Sequence, residues 1–233
     1  MKISVAMAVY NGMAYISSQI ASILPQLKDE DELVISCDPS VDGSEKFLAA
    51  LAKNDPRIRI FTGSGKGVLA NFENAIRKTT GDVIFLCDQD DIWLEQKVLK
   101  VLAVLENKEI QVVLHDAEIV DSLKNTLHPS FFQWRGSKQG YWHNILKNSY
   151  IGCCMAFRSE WKEVILPFPQ EIPMHDQWIG LLAEKKKTVA FLNEPLIKYR
   201  RHGNNATAET HSSMGKMLKW RITMIKEVGK RAK

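Results

Sequence analysis

Asp88, Asp90 and Asp91 fall within four positions, directly behind an apolar run, in the stretch GDVIFLCDQDDIW at residues 81–93. Carboxylates that close repel one another and raise each other's pKa, so a compensating positive charge is needed. Such a cluster at a sheet rim suits Mg2+ or Mn2+. These hard cations take oxygen ligands, keep several waters and bridge a diphosphate to one or two carboxylates. Two further acids follow apolar runs: Asp38 after ELVISC and Asp116 after IQVVLH. A D-x-D triplet alone is a weak signal, because short acidic runs also occur as hydrated turns. This one follows a wholly apolar run and leads straight into IWLEQKV. Asp91 therefore has two readings, N-cap of the next helix or ligand.

The elements that must position these acids read as follows. Residues 2–9 predict a strand, Tyr10-Asn11-Gly12 a turn, and 13–24 an amphipathic helix stopped near Pro25. Strands are expected at 32–37, 57–61, 82–87 and 110–120, with helices at 43–53, 68–79 and 93–106 between them. This β–α alternation predicts an α/β fold with a mostly parallel central sheet flanked by helices. In open sheets of this kind, ligands bind beyond the carboxyl ends of the strands, where the acids stand. The second half is less regular. A loop is expected over 124–140, strands at 150–157 and 188–192, a helix at 175–187 and a loop at 199–207.

The chain has 233 residues, suited to one such domain, and its 45% hydrophobic content supports a packed core. No run of 18 apolar residues is present, and the N-terminus lacks a signal-peptide cleavage pattern, so a cytoplasmic location is expected. Cys37, Cys87, Cys153 and Cys154 show no zinc-ligand spacing and read as buried small hydrophobes. Residues 214–233 carry seven Lys/Arg against Glu227 alone, a charge of +6, which leaves −2 on the remainder of a chain with net charge +4. On a helical wheel Met214, Met217, Leu218, Ile222, Ile225 and Val228 share one face, and Lys216, Lys219, Lys226, Lys230 and Lys233 the other. The segment reads either as a helix packed on the domain or as an anchor on an anionic membrane surface. The division expected is a domain over 1–213 and a basic amphipathic helix over 214–233.

Five segments in order resemble family 2 glycosyltransferases of GT-A (Rossmann-like) fold: VAMAVYNGMAYISSQIASIL, ELVISCDPSVDGS, GKGVLANFENAIRKTTGDVIFLCDQDDIWLEQKV, MHDQWIG and YRRHGNNAT. The NFENAI, DQDDIW and YRRHGNN variants resemble the rhamnosyltransferase-like branch of bacterial polysaccharide biosynthesis. One departure is Cys37, where the family carries a first acid. The resemblance implies an inverting transfer of a sugar, rhamnose being one reading, from a UDP- or dTDP-linked donor to a saccharide acceptor, free or lipid-linked. It implies that Val9, Tyr10, Asn11, Asp38, Lys66, Asp88 and Gln89 line the donor, with Asp38 at the base and Asp88 at the ribose or sugar. Asp90 would bind Mg2+ or Mn2+ beneath the diphosphate, with His202 as a further ligand. Asp176 would be the general base, and His175 and Trp178 would lie on the acceptor side.

Each role has a plainer counterpart. Asp38 suits an Asx-turn before Pro39, Lys66 a solvated loop, Asp176 a helix start, and His202 a structural loop histidine. A phosphohydrolase with an acidic nucleophile is disfavoured because its D-x-D follows the first strand, whereas this one follows the fourth. A catalytically weak nucleotide-sugar binder remains the second reading. Nucleic-acid binding finds no module motif.

Overall fold

The computed structural model describes residues 1–202 and 213–232. The first half alternates as expected: β1 (Ile3–Val9), α1 (Ile16–Ile23), β2 (Glu32–Cys37), α2 (Ser44–Asn54), β3 (Ile58–Thr62), α3 (Val68–Lys78) and β4 (Val83–Cys87). The strands β3-β2-β1-β4 lie side by side and parallel. Both faces of this sheet are covered, which is why β2 and β4 are buried along their whole length instead of alternating. Each large apolar side chain of β4 contributes roughly 1.5–3 kcal/mol by leaving water. That burial offsets the cost of holding acids at the strand's end.

The chain then departs from simple alternation. Ile92–Trp93 is a short strand, β5, and α4 spans Lys97–Val104. The helix expected from residue 93 starts later because Ile92 and Trp93 pair antiparallel with the last strand. The helix-cap reading of Asp91 falls with it. Next come β6 (Val112–Val120), β7 (Thr126–His128), α5 (Phe131–Arg135), α6 (Tyr141–Leu146), β8 (Met155–Arg158), α7 (Trp161–Ile165), α8 (His175–Lys186), β9 (Val189–Arg200) and α9 (Met214–Arg231). The sheet continues β4-β8-β6-β9-β5, with β8 antiparallel to both neighbours and β9 parallel to β6.

Three expectations are corrected. The loop over 124–140 contains β7 and α5. The strand expected from 150 begins at Met155, after a single 3-10 turn at Gly152–Cys154. The strand expected over 188–192 runs on to Arg200, so Tyr199 and Arg200 are sheet residues, while 203–207 lie outside the described residues. Asp116 is also reassigned. It sits inside β6, and its carboxylate accepts from Ser130 Oγ, Phe132 N at 2.9 Å and Ala117 N at 2.7 Å. It anchors the start of α5 and does not reach the rim.

From His175 to Ala183, α8 is buried on every side, as a helix enclosed between other elements must be. Gly180 makes that possible, since a Cβ there would lie 2.3 Å from the Tyr150 ring.

Candidate active site

The turn after β1 and the loop after β2 lock together. Asn11, at φ 47°, accepts from Val41 N at 3.0 Å, and its own N–H donates to Ser40 Oγ at 3.0 Å. Asp42 accepts from Met13 N at 2.8 Å and Ser44 N at 3.0 Å. Gln89 clamps the same turn from the acidic segment. Its amide accepts from Tyr10 N at 2.9 Å and donates to Tyr10 O at 3.0 Å. Gln89 thus fixes the spacing between the β1 and β4 ends, while the Tyr10 side chain stands 59% exposed above them. The Val9 carbonyl accepts from Asp38 N at 2.9 Å and Asn71 Nδ2 at 3.0 Å.

Cys37 packs into the core, and the Asp38 carboxylate accepts from Gly65 N at 2.9 Å. Gly63 has to be glycine: a Cβ would lie 2.1 Å from Asp38 Oδ1 and 2.7 Å from Asn71 Oδ1. Gly63→Ala should therefore push the Asp38 carboxylate aside and cost roughly 1–3 kcal/mol of stability as overpacking, read as a lower urea midpoint. An unchanged midpoint would show that the loop adjusts without strain. Lys66, in the same loop, is exposed.

At the end of β4, Asp88 is half-buried, Asp90 is 9% exposed and Asp91 fully buried. Ligand atoms of Asp88, Asp91 and Cys153 lie within 4.8 Å of one another. Asp90 Oδ2 meets His202 Nε2 at 2.9 Å, and the His202 ring stacks on Tyr15 at 4.5 Å. Asp91 Oδ1 accepts from Arg200 N at 3.0 Å, which fastens the end of β9, and so His202, to the acidic segment. Beneath them lies Lys97, fully buried, donating to Cys153 O at 2.9 Å with its ammonium 4.1 Å from the Trp93 ring centre.

Lys97 offsets the acids only in part. Burial, then the charges of Asp91, Asp90 and Asp176, push the Asp88 carboxyl well above the ordinary range. Burial, then Asp90, pushes Asp91 up to about 7. Asp90 is raised by burial and drawn back by its His202 bond. A divalent cation fits these donors: Asp91 Oδ2 is buried without a hydrogen-bond partner beside Asp88 and Cys153, and Asp90 and His202 pair a carboxylate with an imidazole.

Asp176 lies in the first turn of α8, 5% exposed. Burial pushes its carboxyl up to about 7, although the N–H groups of Gln177 and Gly152 bond it. Met174 occupies the N-cap position, and Asp176 accepts from Gln177 N at 2.5 Å. Gly152, which bonds it, immediately precedes Cys153, and Cys153 lies with Asp88 and Asp91. The two neighbours named with it are buried as well. His175 stacks on Phe72 at 4.2 Å, and burial holds it down to about 4, so it is a neutral core histidine. Trp178 is fully buried and donates from Nε1 to Ile165 O at 2.9 Å.

The structure thus gathers Asp88, Asp90, Asp176 and His202 at the sheet rim. Sequence reasoning passed over Asp91 as a tie to β9, Lys97 as the buried counter-charge, and Cys153 and Tyr15 as neighbours. Only Asp91 carried a signal, through its place beside the D-x-D.

The family model for glycosyl transferase family 2 matches residues 4–166. An uncharacterized glycosyltransferase from Nostoc is 28% identical, over 88% of this chain and 66% of its own length. UDP-Glc:alpha-D-GlcNAc-diphosphoundecaprenol beta-1,3-glucosyltransferase WfgD of Escherichia coli is 26% identical over 85% of this chain and 76% of that protein. The dTDP-rhamnosyl transferase RfbG of Shigella flexneri is 26% identical over 85% and 72%. The structure of S. aureus TarS 1-349 with UDP-GlcNAc superposes with TM-score 0.74 at 16% identity, covering 99% of this chain and 66% of that one. Glucosyl-3-phosphoglycerate synthase from Mycobacterium tuberculosis, in complex with Mn2+, UDP and glucosyl-3-phosphoglycerate, gives TM-score 0.59 at 19% identity, covering 99% and 80%. The chain spans about two thirds of the length of the Nostoc relative and of the TarS fragment. The fold is the GT-A type, and the chain belongs to glycosyl transferase family 2.

Proposed function

We propose that this protein is an inverting glycosyltransferase of bacterial cell-surface polysaccharide synthesis. It moves a hexosyl group, rhamnose being the branch reading, from a UDP- or dTDP-linked donor to a saccharide acceptor carried on a lipid. The observation that carries the proposal is the meeting of Asp90 with His202 in an acidic rim that also includes Asp88 and Asp176. The names of the relatives support it: one acts on a diphosphoundecaprenol-linked sugar, another transfers rhamnose from dTDP.

In this reading Asp38 meets the base, and the Tyr10-Asn11 turn lines the nucleoside. Asp88 meets the ribose or sugar. Asp90 and His202 hold Mg2+ or Mn2+, which when bound offsets negative charge on the diphosphate. Asp176 removes the proton from the acceptor hydroxyl as that oxygen bonds to the anomeric carbon. The bond from that carbon to the diphosphate breaks on the opposite face, and its electron pair leaves with the phosphate. The rim backbone, braced by Gln89 and Asp42, keeps the donor in line for that attack.

Among the described residues no helix is long and apolar enough to cross a membrane. The proposed location is peripheral, on the inner face of the cytoplasmic membrane, with residues 214–233 as a surface helix on a domain over 1–213.

A thermal-shift screen of UDP- and dTDP-sugars with and without Mn2+ tests the donor reading. A donor bound to the native state raises the melting temperature, and the rise should need the metal. Slow hydrolysis of the same donor separates an enzyme from a weak binder. No shift with any nucleotide sugar would overturn the proposal.

A further inference from the structure

The last helix presents three faces, not two. Met224 and Val228 are buried against the domain. Arg231 donates to Leu166 O at 2.8 Å and Pro167 O at 2.9 Å, and Arg221 to Leu146 O at 2.8 Å. These contacts use one side of the apolar face that the helical wheel drew. The other side stays in water: Met214 is 84% exposed, Leu218 57%, Ile222 58% and Ile225 37%. Their spacing of four, four and three places them in one row along α9. Beyond that row, away from the packed side, run Lys216, Lys219, Lys226 and Lys230, all exposed.

The apolar row does not end with α9. Arg221, on the row's packed border, reaches the Leu146 carbonyl, so α6 lies alongside. There Trp142 is 66% exposed and Leu146 64%, one helical turn apart. Two neighbouring helices thus leave six large apolar side chains exposed, with lysines along one border of α9. A free apolar surface of that kind marks an interaction site. The lysine border selects the partner. A neutral protein groove would leave those cations uncompensated, whereas anionic headgroups meet them while the row beside them enters the acyl boundary. Trp142 suits that depth, with an apolar ring and one polar N–H.

The α6 helix also packs against α8. The buried Asn144 accepts from Gln177 Nε2 through its carbonyl at 2.8 Å, and Gln177 follows Asp176. The exposed surface therefore includes a helix that touches α8, the helix carrying the proposed base.

We infer that Trp142 and Leu146 of α6, with Met214, Leu218, Ile222 and Ile225 of α9 and their lysine border, form the face that seats this protein on an anionic membrane, and that this seating brings acceptors carried in the membrane near α8, the helix of Asp176. The last clause rests on the transferase reading; the seating does not.

The test is sedimentation of the full chain with phosphatidylcholine vesicles, with and without phosphatidylglycerol, at low and high salt. Wild type should bind the anionic vesicles at low salt and release in high salt. Lys219→Ala with Lys226→Ala should weaken binding on the order of 20-fold, about fivefold per lysine. Leu218→Glu with Ile222→Glu should abolish it, while circular dichroism and Mn2+-dependent UDP binding stay as in wild type. The assignment is overturned if wild type does not bind at low salt, or if the Glu pair binds as well as wild type. It is equally overturned if analytical ultracentrifugation shows this row closing a dimer that ignores vesicles. Vesicle binding without any nucleotide binding would keep the surface and remove the transferase reading instead.

Discussion

Asp176→Asn should abolish sugar transfer while leaving binding of UDP and Mn2+ within about twofold of wild type. A positioned general base contributes roughly 10²–10⁴ in rate, and the amide cannot take the acceptor proton. Wild-type activity should rise with pH through about 7, where burial has moved this carboxyl, and reach a plateau once it is ionised. His175 beside it is held neutral across that range and adds no competing charge. The charge of Asp176 also acts on Asp88, and bound metal would hold Asp88 ionised. Stability should run the other way. The folded pKa lies above the unfolded carboxylate value, so the native state binds the extra proton, and the protein loses stability as pH rises from about 4 through 7. Asp176→Asn removes that loss and should stabilise the protein at pH 8 by on the order of 4 kcal/mol, seen as a higher denaturant midpoint. Full turnover by the variant would remove the base assignment. A lowered midpoint at pH 8 would show that the bonds from Gln177 and Gly152 outweigh the buried charge.

Asp90→Ala should lower Mn2+ affinity by about 100-fold or more, since loss of a ligand costs at least as much as loss of an outer partner. Binding of UDP, followed by calorimetry, should fall with it and should fall equally in wild type treated with chelator. His202→Ala should give a smaller loss, roughly tenfold, because the charged ligand Asp90 remains. The variants also separate two metal sets on the same rim, Asp90 with His202 and Asp88 with Asp91 and Cys153. If Cys153→Ser lowers Mn2+ affinity more than His202→Ala does, the second set holds the ion. UDP binding that ignores chelator and survives Asp90→Ala would end the metal-dependent reading altogether.

The weight carried by Asp91 and Lys97 explains why these acids can sit together before any ligand arrives. Asp91 ties the acidic segment to Arg200 N, and Lys97 supplies a positive charge beneath it. Yet Asp88 and Asp91 stay raised, so the rim remains short of positive charge. A site left in that state gains from a divalent cation, and the same imbalance makes it pH-sensitive.

The sequence by itself determined the parallel half of the sheet, because β1 to β4 are written as apolar runs separated by helical periods and punctuated by Gly and Pro. It also determined that Asp38 and Asp88 to Asp91 stand at strand ends, since a local pattern fixes where a strand stops. Tertiary structure alone decided the rest. Ile92–Trp93 became a strand because β9, a hundred residues on, offered an unpaired edge. His175 and Trp178 are core residues because α8 is enclosed from His175 to Ala183, and a helix buried all round does not declare in its sequence which face meets a ligand. Asp116 turned to Ser130 and Phe132 for the same reason: a carboxylate's partner is set by what the fold brings beside it. The wheel of α9 showed that apolar and basic faces exist, but only the packing of Met224, Val228 and Arg231 divided the apolar face into a docked half and an exposed one.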